Sequence, residues 1–182
     1  MILETDRLVL RDFSLDDREP FADINSDPAV LEFLGPALDR ATSDAWVHRI
    51  IAASNDDRPR LLAVVEKGGA FIGYVGLSVP TFESSFTPCV EIGWRLSASS
   101  WGRGLATEAA RAVLEWGFSH HRLDEIVSFT TVRNARSRRV MDKIGMRRSP
   151  DDDFDHPRLQ PDDPLRPHVL YRISRSSTRV IL

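Results

Sequence analysis

At 182 residues, with 42% hydrophobic and 28% charged side chains, the chain is long enough to fill one core and has the composition of an ordinary globular protein. A formal net charge of -3 gives no general pull toward nucleic acid or an anionic membrane, and a single cysteine, Cys89, excludes an internally disulfide-stapled scaffold. No apolar run approaches the ~20 residues of a spanning helix, and the first residues lack the basic-then-apolar order of a signal peptide, so a cytoplasmic enzyme or binding protein with no membrane partner is expected.

The first strand is predicted over residues 6–13, where Leu8 and Leu10 alternate with Arg7, Val9 and Arg11. Ser14 then has the chemistry of an N-cap, with Asp16, Asp17 and Glu19 placed to suit the dipole of a helix reaching about Asn25. Asp27-Pro28 interrupts it, and Val30, Leu31, Phe33 and Leu34 form a short apolar patch. Thr42-Ser43-Asp44 can cap a second helix, and residues 55–59 are a polar break. Strands follow over 61–66 and 70–79, joined by a hairpin turn at Lys67-Gly68-Gly69. After a loop at 80–88, a strand over 90–96 carries Glu91, and an amphipathic helix runs from about Gly104 to Ser119. A strand over 124–131 and a helix over 134–144 come next, the helix stopped by Gly145 as a left-handed C-cap. A strand begins at 146–148, a Pro- and Asp-rich loop spans 149–167, and a final strand covers 168–174. This order predicts an α+β fold with a mixed, mostly antiparallel sheet of six to seven strands and about four helices. One domain over residues 1–175 and a tail over 176–182 are expected.

Gly102 and Gly104 sit between an apolar strand and an amphipathic helix. A helix N-terminus presents free N–H groups and partial positive charge, and glycines let a phosphate approach the backbone. Arg103 can add charge. The same two glycines also suit a plain tight turn. A dinucleotide fingerprint would need a third small residue where Thr107 stands, and no Gly-Lys-Ser/Thr is present for a P-loop.

Residues 90–96, Val-Glu-Ile-Gly-Trp-Arg-Leu, followed by Trp101-Gly102-Arg103-Gly104-Leu105-Ala106, resemble the central motif of the GNAT-superfamily N-acetyltransferases. Trp101 stands where that motif has Gln or Arg. Thr130 to Ser137 and Arg139 to Met146 resemble the strand-Asn-helix-Gly motif that follows, in the branch that acetylates the N-terminal alanine or serine of ribosomal proteins. The resemblance covers nearly the whole chain in order. It implies the GNAT fold and transfer of acetyl from acetyl-CoA, as co-substrate, to a primary amine: a protein N-terminal α-amine or a small amine. It also implies a role for each candidate residue. Backbone N–H groups of Trp101, Gly102, Arg103, Gly104, Leu105 and Ala106 would hold the pyrophosphate. The edge of the strand from Glu91 to Leu96 would take the pantetheine arm, and an N–H among Trp94, Arg95 and Leu96 would supply an oxyanion donor. Glu91 would accept the amine proton; a plain strand carboxylate is the other reading. Asn134 would bond the pantetheine amide, or only cap its helix. Many relatives protonate the departing thiolate with a Tyr, but Met141 stands at that position here. Ser137 is then the candidate acid, against a plain exposed serine. Arg136, Arg138 and Arg139 form a basic cluster, with Arg136 and Arg139 as candidates for the 3′-phosphate of CoA and a solvated helix face as the other reading.

The five histidines lack metal-ligand spacing, so no metal is predicted. The acidic 149–167 loop is either a rim that attracts a cationic acceptor or a solvated loop. Neither charge nor aromatic interleaving supports a nucleic-acid partner. A homodimer is a possible assembly, and a CoA-binding regulatory module without turnover is the competing function.

Overall fold

The computed structural model describes residues 2–53 and 58–178. Its strands in chain order are β1 (Ile2–Glu4), β2 (Leu8–Arg11), β3 (Leu61–Glu66), β4 (Phe71–Ser78), β5 (Glu91–Leu96), β6 (Glu125–Thr131), β7 (Arg147–Arg148), β8 (Phe154–Asp155) and β9 (Pro167–Ser174). Its helices are α1 (Arg18–Ser26), α2 (Pro28–Leu31), α3 (Arg40–Ala53), α4 (Leu105–His120), α5 (Ala135–Lys143) and α6 (Arg175–Thr178). All nine strands join one sheet in the order β1-β2-β3-β4-β5-β6-β9-β7, with β8 also on β9. Among the described strands only β5 and β6 run parallel. The α+β class and mixed sheet are those expected, but the sheet is larger than the six to seven strands predicted. The added strands are β1 and β8, which have three and two residues and exist by pairing with β2 and β9. The added helices α2 and α6 have four residues each.

Three boundaries differ from expectation for local reasons. The helix after Ser14 opens with a 3-10 turn at Leu15–Asp17 before α1 begins. Thr42-Ser43-Asp44 does not cap α3: the Asp39 carboxylate accepts the Thr42 N–H at 2.7 Å, so the helix starts earlier and Ser43 is buried within it. The expected tail begins with the helical turn α6, and residues 179–182 lie outside the described residues, as does most of the break at 55–59.

Each sheet face buries its own core. Leu8, Leu10, Leu62, Val75, Ile92 and Ile126 pack under α4 and α5. Gly117 in α4 lets that helix press closely, since a Cβ there would meet Leu77 Cδ1 at 2.8 Å and Ile126 Cδ1 at 3.0 Å. On the other face, Phe13, Phe21, Val47, Ile50 and Ala63 form a second cluster with α1 and α3. A third lies beside it, where Phe82 and Phe86 of the 80–88 loop pack with Phe129, Phe154 and Leu170. Cys89 joins this cluster as a packing residue, its thiol pushed up to about 11 by burial and so kept protonated. Among the described residues no helix is long and apolar enough to cross a membrane.

The turn from β2 into α1 is held by Asp17, whose side chain is 3% exposed. It accepts both Arg11 Nη groups at 2.7 Å and the Ser14 N–H at 2.8 Å. Removing one partner of a pair buried this way leaves a charge uncompensated. Asp17→Asn is therefore expected to cost about 3 kcal/mol, read as a melting temperature about 10 °C lower. An unchanged melting temperature would remove this pair from the stability of the fold.

Candidate active site

Parallel strands β5 and β6 touch only at their beginnings, where Glu91 pairs with Val127 and Val127 N–H donates to Val90 O at 2.9 Å. Beyond that point they part, and a cleft of about 490 Å³ opens between them. Backbone groups alternate along a strand. Ser97 N–H donates to Ile72 O on the β4 side, so the N–H groups of Trp94 and Leu96 face the opening, while that of Ile92 lies where β5 and β6 still pair. Arg95 N–H faces β4 instead. Of the predicted edge Trp94, Arg95 and Leu96, the first and last thus offer backbone donors, while Arg95 contributes only its side chain. The Leu96 carbonyl accepts the Trp101 indole N–H at 3.0 Å, which seats that ring in the cleft.

At one end of the cleft is the glycine turn. Gly102 and Gly104 have φ of +73° and +80°, left-handed values that a β-carbon disfavours. Leu105 to His120 then form a 16-residue helix whose N-cap, Gly104, brings no side-chain cap, so its first N–H groups stay available. A Cβ at Gly102 would meet nothing within 4 Å, and at Gly104 only Arg7 Nη2 at 3.7 Å. The turn is staked from outside. Arg7 donates to Arg103 O at 2.9 Å and to Glu108 Oε2 at 2.7 Å. Arg103 makes a two-pronged pair with Glu66 at 2.8 and 2.6 Å and does not line the cleft. Its side chain therefore does not supply the charge expected of it; its place in the turn is a backbone one. Leu105 and Ala106 line the cleft at the start of α4.

Helix α5 forms a second wall. Asn134 Oδ1 accepts Ser137 N–H at 3.1 Å and its Nδ2 donates to Thr130 Oγ1 at 3.2 Å, so the cap is real and the side chain is held in the cleft lining. Ser137 also lines the cleft, its hydroxyl without a partner among the described residues. The basic cluster splits. Arg136 and Arg139 line the cleft, whereas Arg138 turns back to Val132 O at 3.2 Å. Arg136 lies 4.3 Å over the Trp101 ring and 5.5 Å from that of Phe33, and pairs with Glu32 at 2.8 Å. That pair is about half exposed, so it orients Arg136 more than it stabilises the fold. Trp101, in place of the motif's polar residue, serves as the platform for Arg136. Met141 is fully buried in the core, so nothing from that position reaches the cleft.

Glu91 stands where the strands part. Burial pushes its carboxyl up to about 8, and a hydrogen bond with the Ser78 hydroxyl offsets only part of that. Such a group exchanges its proton close to neutral pH. Tyr74, overlooked in the sequence, lines the cleft opposite Arg95 in the β4–β5 register, its phenol kept protonated by burial. Lys143, beside Arg139, was also overlooked. Tyr74 sits in an alternating strand that reads as core, and only register reveals its position. The acidic 149–167 loop contributes no residue to the cleft: Asp152 pairs with Arg172, Asp153 with Arg148 and Asp155 with Arg166.

The sequence model of the acetyltransferase (GNAT) domain family matches residues 7–147. The chain is 29% identical over 149 residues to the uncharacterized N-acetyltransferase YnaD of Bacillus subtilis (strain 168), covering 81% of this chain and 84% of that protein. Its structure is similar to a GNAT-family acetyltransferase from Bacillus anthracis, with a TM-score of 0.79 at 25% identity over 97% of this chain and 99% of that one. A ribosomal-protein-S5-alanine acetyltransferase from Vibrio fischeri shares the fold, with a TM-score of 0.75 at 18% identity over 96% of each chain. The GNAT domain is an acetyl-CoA-dependent acyltransferase. Taken with the cleft between β5 and β6 and its glycine turn, these matches place the chain in the GNAT family as an acetyl-CoA-dependent N-acetyltransferase.

Proposed function

We propose that the protein moves the acetyl group of acetyl-CoA directly to a primary amine, with Glu91 as the proton acceptor. The carrying observation is a half-buried carboxyl, poised at about 8 by desolvation, on the same cleft as a glycine-cradled helix N-terminus. The cleft fits acetyl-CoA: open space at both glycines, uncapped N–H groups at α4, an unpaired strand edge, and Arg139 and Lys143 for a terminal phosphate. When bound, acetyl-CoA supplies an acyl carbon activated by its thioester.

This chain's residues do the rest. The N–H groups from Gly102 to Ala106 bind the pyrophosphate. Trp94 and Leu96 offer backbone donors to the pantetheine arm and to the carbonyl oxygen as it gains charge. Asn134, fixed by its cap, stands beside the arm. Ionised Glu91 takes the amine proton, directly or through water, as nitrogen bonds the carbonyl carbon. The sulfur departs with the C–S electron pair and takes its proton from the Ser137 hydroxyl, which regains one from water. A free cysteine fits the reducing conditions of the cytoplasm, where we place the protein.

Thiol release from acetyl-CoA across a panel of amines tests this. Amine-dependent release is expected. Acetyl-CoA binding without release on any amine would make the protein a CoA-binding module instead.

Gly93 tests the acceptor side separately. It lies between Glu91 and Arg95 on the strand, and a Cβ there would meet only Glu91 Oε1, at 3.8 Å. The fold has room for Gly93→Ala, but the methyl occupies space beside the carboxylate. We expect the acceptor KM to rise about tenfold or more through misplacement of the amine, with the acetyl-CoA KM little changed. Equal changes in both would show that Gly93 does not border the acceptor.

A further inference from the structure

The acceptor can be narrowed, on the proposed function, by the surroundings of Arg95. In the β4–β5 ladder Ser78 faces Glu91, Gly76 faces Gly93 and Tyr74 faces Arg95. These side chains share the sheet face covered by α1 and α3. Glu91 and Arg95 stand four residues apart, about 13 Å between Cα atoms, and the space over Gly93 between them is open.

Arg95 is half-buried, and a guanidinium stays charged. Among the described residues it has one hydrogen bond, from Nη1 to Asn25 Oδ1, and its buried Nε has no partner. Its guanidinium lies 5.0 Å from the Trp46 ring, a cation–π contact that orients it without neutralising it. Among the described residues no carboxylate pairs with it. Several arginines elsewhere do have acids: Arg11 has Asp17, Arg103 has Glu66, Arg136 has Glu32, and Arg172 has both Asp152 and Glu125. Arg111 and Arg138 instead donate to the carbonyls of Lys143 and Val132.

The support behind Arg95 is built. Asn25 is fully buried in α1 and donates to Ser43 Oγ of α3 at 2.9 Å. Two helices thus hold the amide that aims the guanidinium. A cation pre-oriented in this way, lacking an acid and bordering the cleft, wants an anion from outside. The phosphates of acetyl-CoA are suited to the glycine turn and to Arg139 and Lys143, which belong to the α4 and α5 walls. Arg95 projects from the opposite face of β5. The anion is therefore a feature of the acceptor, and the planar fork of arginine matches a carboxylate.

We propose that the acceptor is a small amine that also bears a carboxylate, of amino-acid size, with its amino group over Gly93 beside Glu91 and its carboxylate on Arg95. The acidic loop is internally paired and absent from the cleft, so nothing there favours a polycationic peptide.

The test is kcat/KM for thiol release with acetyl-CoA and matched pairs of acceptors: an amino acid, its carboxamide and its phosphonate, in several side-chain sizes. We expect the carboxylate to exceed the carboxamide by about 10- to 100-fold, the range of one charge-assisted bidentate contact. In R95M that ratio falls to near one. The ratio does not depend on how much of the variant is folded, because both acceptors meet the same protein. A wild-type ratio near one, a ratio unchanged in R95M, or a preference for the phosphonate overturns the inference while leaving amine acetylation standing. Release from no amine at all overturns the proposed function and the inference with it.

Discussion

Replacing Glu91 by Gln is expected to lower kcat/KM by about 10²- to 10⁴-fold, the usual contribution of a placed general base. The pH profile carries the diagnosis. The burial that raises this carboxyl to about 8 leaves only about a tenth of it ionised at pH 7. An α-amino acceptor with a pKa of ~8 must also lose its proton before it attacks. Below pH 8 the wild-type log kcat/KM should therefore climb with a slope near two, one proton from each group. In Glu91→Gln only the amine titrates, and the slope drops to about one. A variant that keeps the steeper slope would remove Glu91 from the reaction.

The same burial has a consequence for stability. A carboxyl whose folded pKa lies above its ordinary value binds its proton more tightly when folded. Its ionisation costs stability, and the loss develops as pH rises from about 4.5 through about 8. Below that window Glu91 is protonated in both states and costs nothing. Glu91→Gln should thus match the wild-type melting temperature at pH 4 and exceed it by several degrees at pH 9. One variant, less active and more stable at alkaline pH, is the signature of a carboxyl kept buried for its chemistry.

Gly104→Trp is expected to abolish acetyl-CoA binding, raising Kd by about 100-fold or more. Two effects act together. Gly104 holds φ at +80°, where a side chain costs about 1–3 kcal/mol. The indole would also stand over the open N–H groups at the start of α4. Gly104→Ala separates them, since it carries the backbone strain with little bulk. Titration calorimetry should find partial loss with Ala and complete loss with Trp. Near-wild-type affinity in the Trp variant would place the pyrophosphate elsewhere.

How far the site can be read in the sequence follows from the range of the forces involved. The glycine turn, the amphipathic α4, the Asn134 cap and the Gly145 stop, with φ of +83°, are built by residues within a few positions of one another. Glu91 was legible for the same reason: a carboxylate inside an apolar strand is conspicuous. Arg103 looked equally well placed, yet Glu66, 37 residues away, draws its side chain off the cleft. The acidic loop reads equally as a rim or as a solvated loop; only the fold pairs Asp153, Asp155 and Asp152 with Arg148, Arg166 and Arg172 and keeps the loop off the cleft.

Local pattern was enough for most elements, for the left-handed glycine turn and for the place of Glu91 in its strand, because propensity, capping and left-handed glycines act over single turns of chain. Strands as short as β1 and β8, the direction of Arg103, the parting of β5 from β6 and the setting of Arg95 were decided only by tertiary contacts. Arg95 illustrates the reason. Its partners Asn25 and Trp46 come from helices far back in the chain, and Tyr74 reaches it through strand register. The balance that leaves Arg95 without an acid among the described residues is a sum over neighbours that come together only when the chain folds.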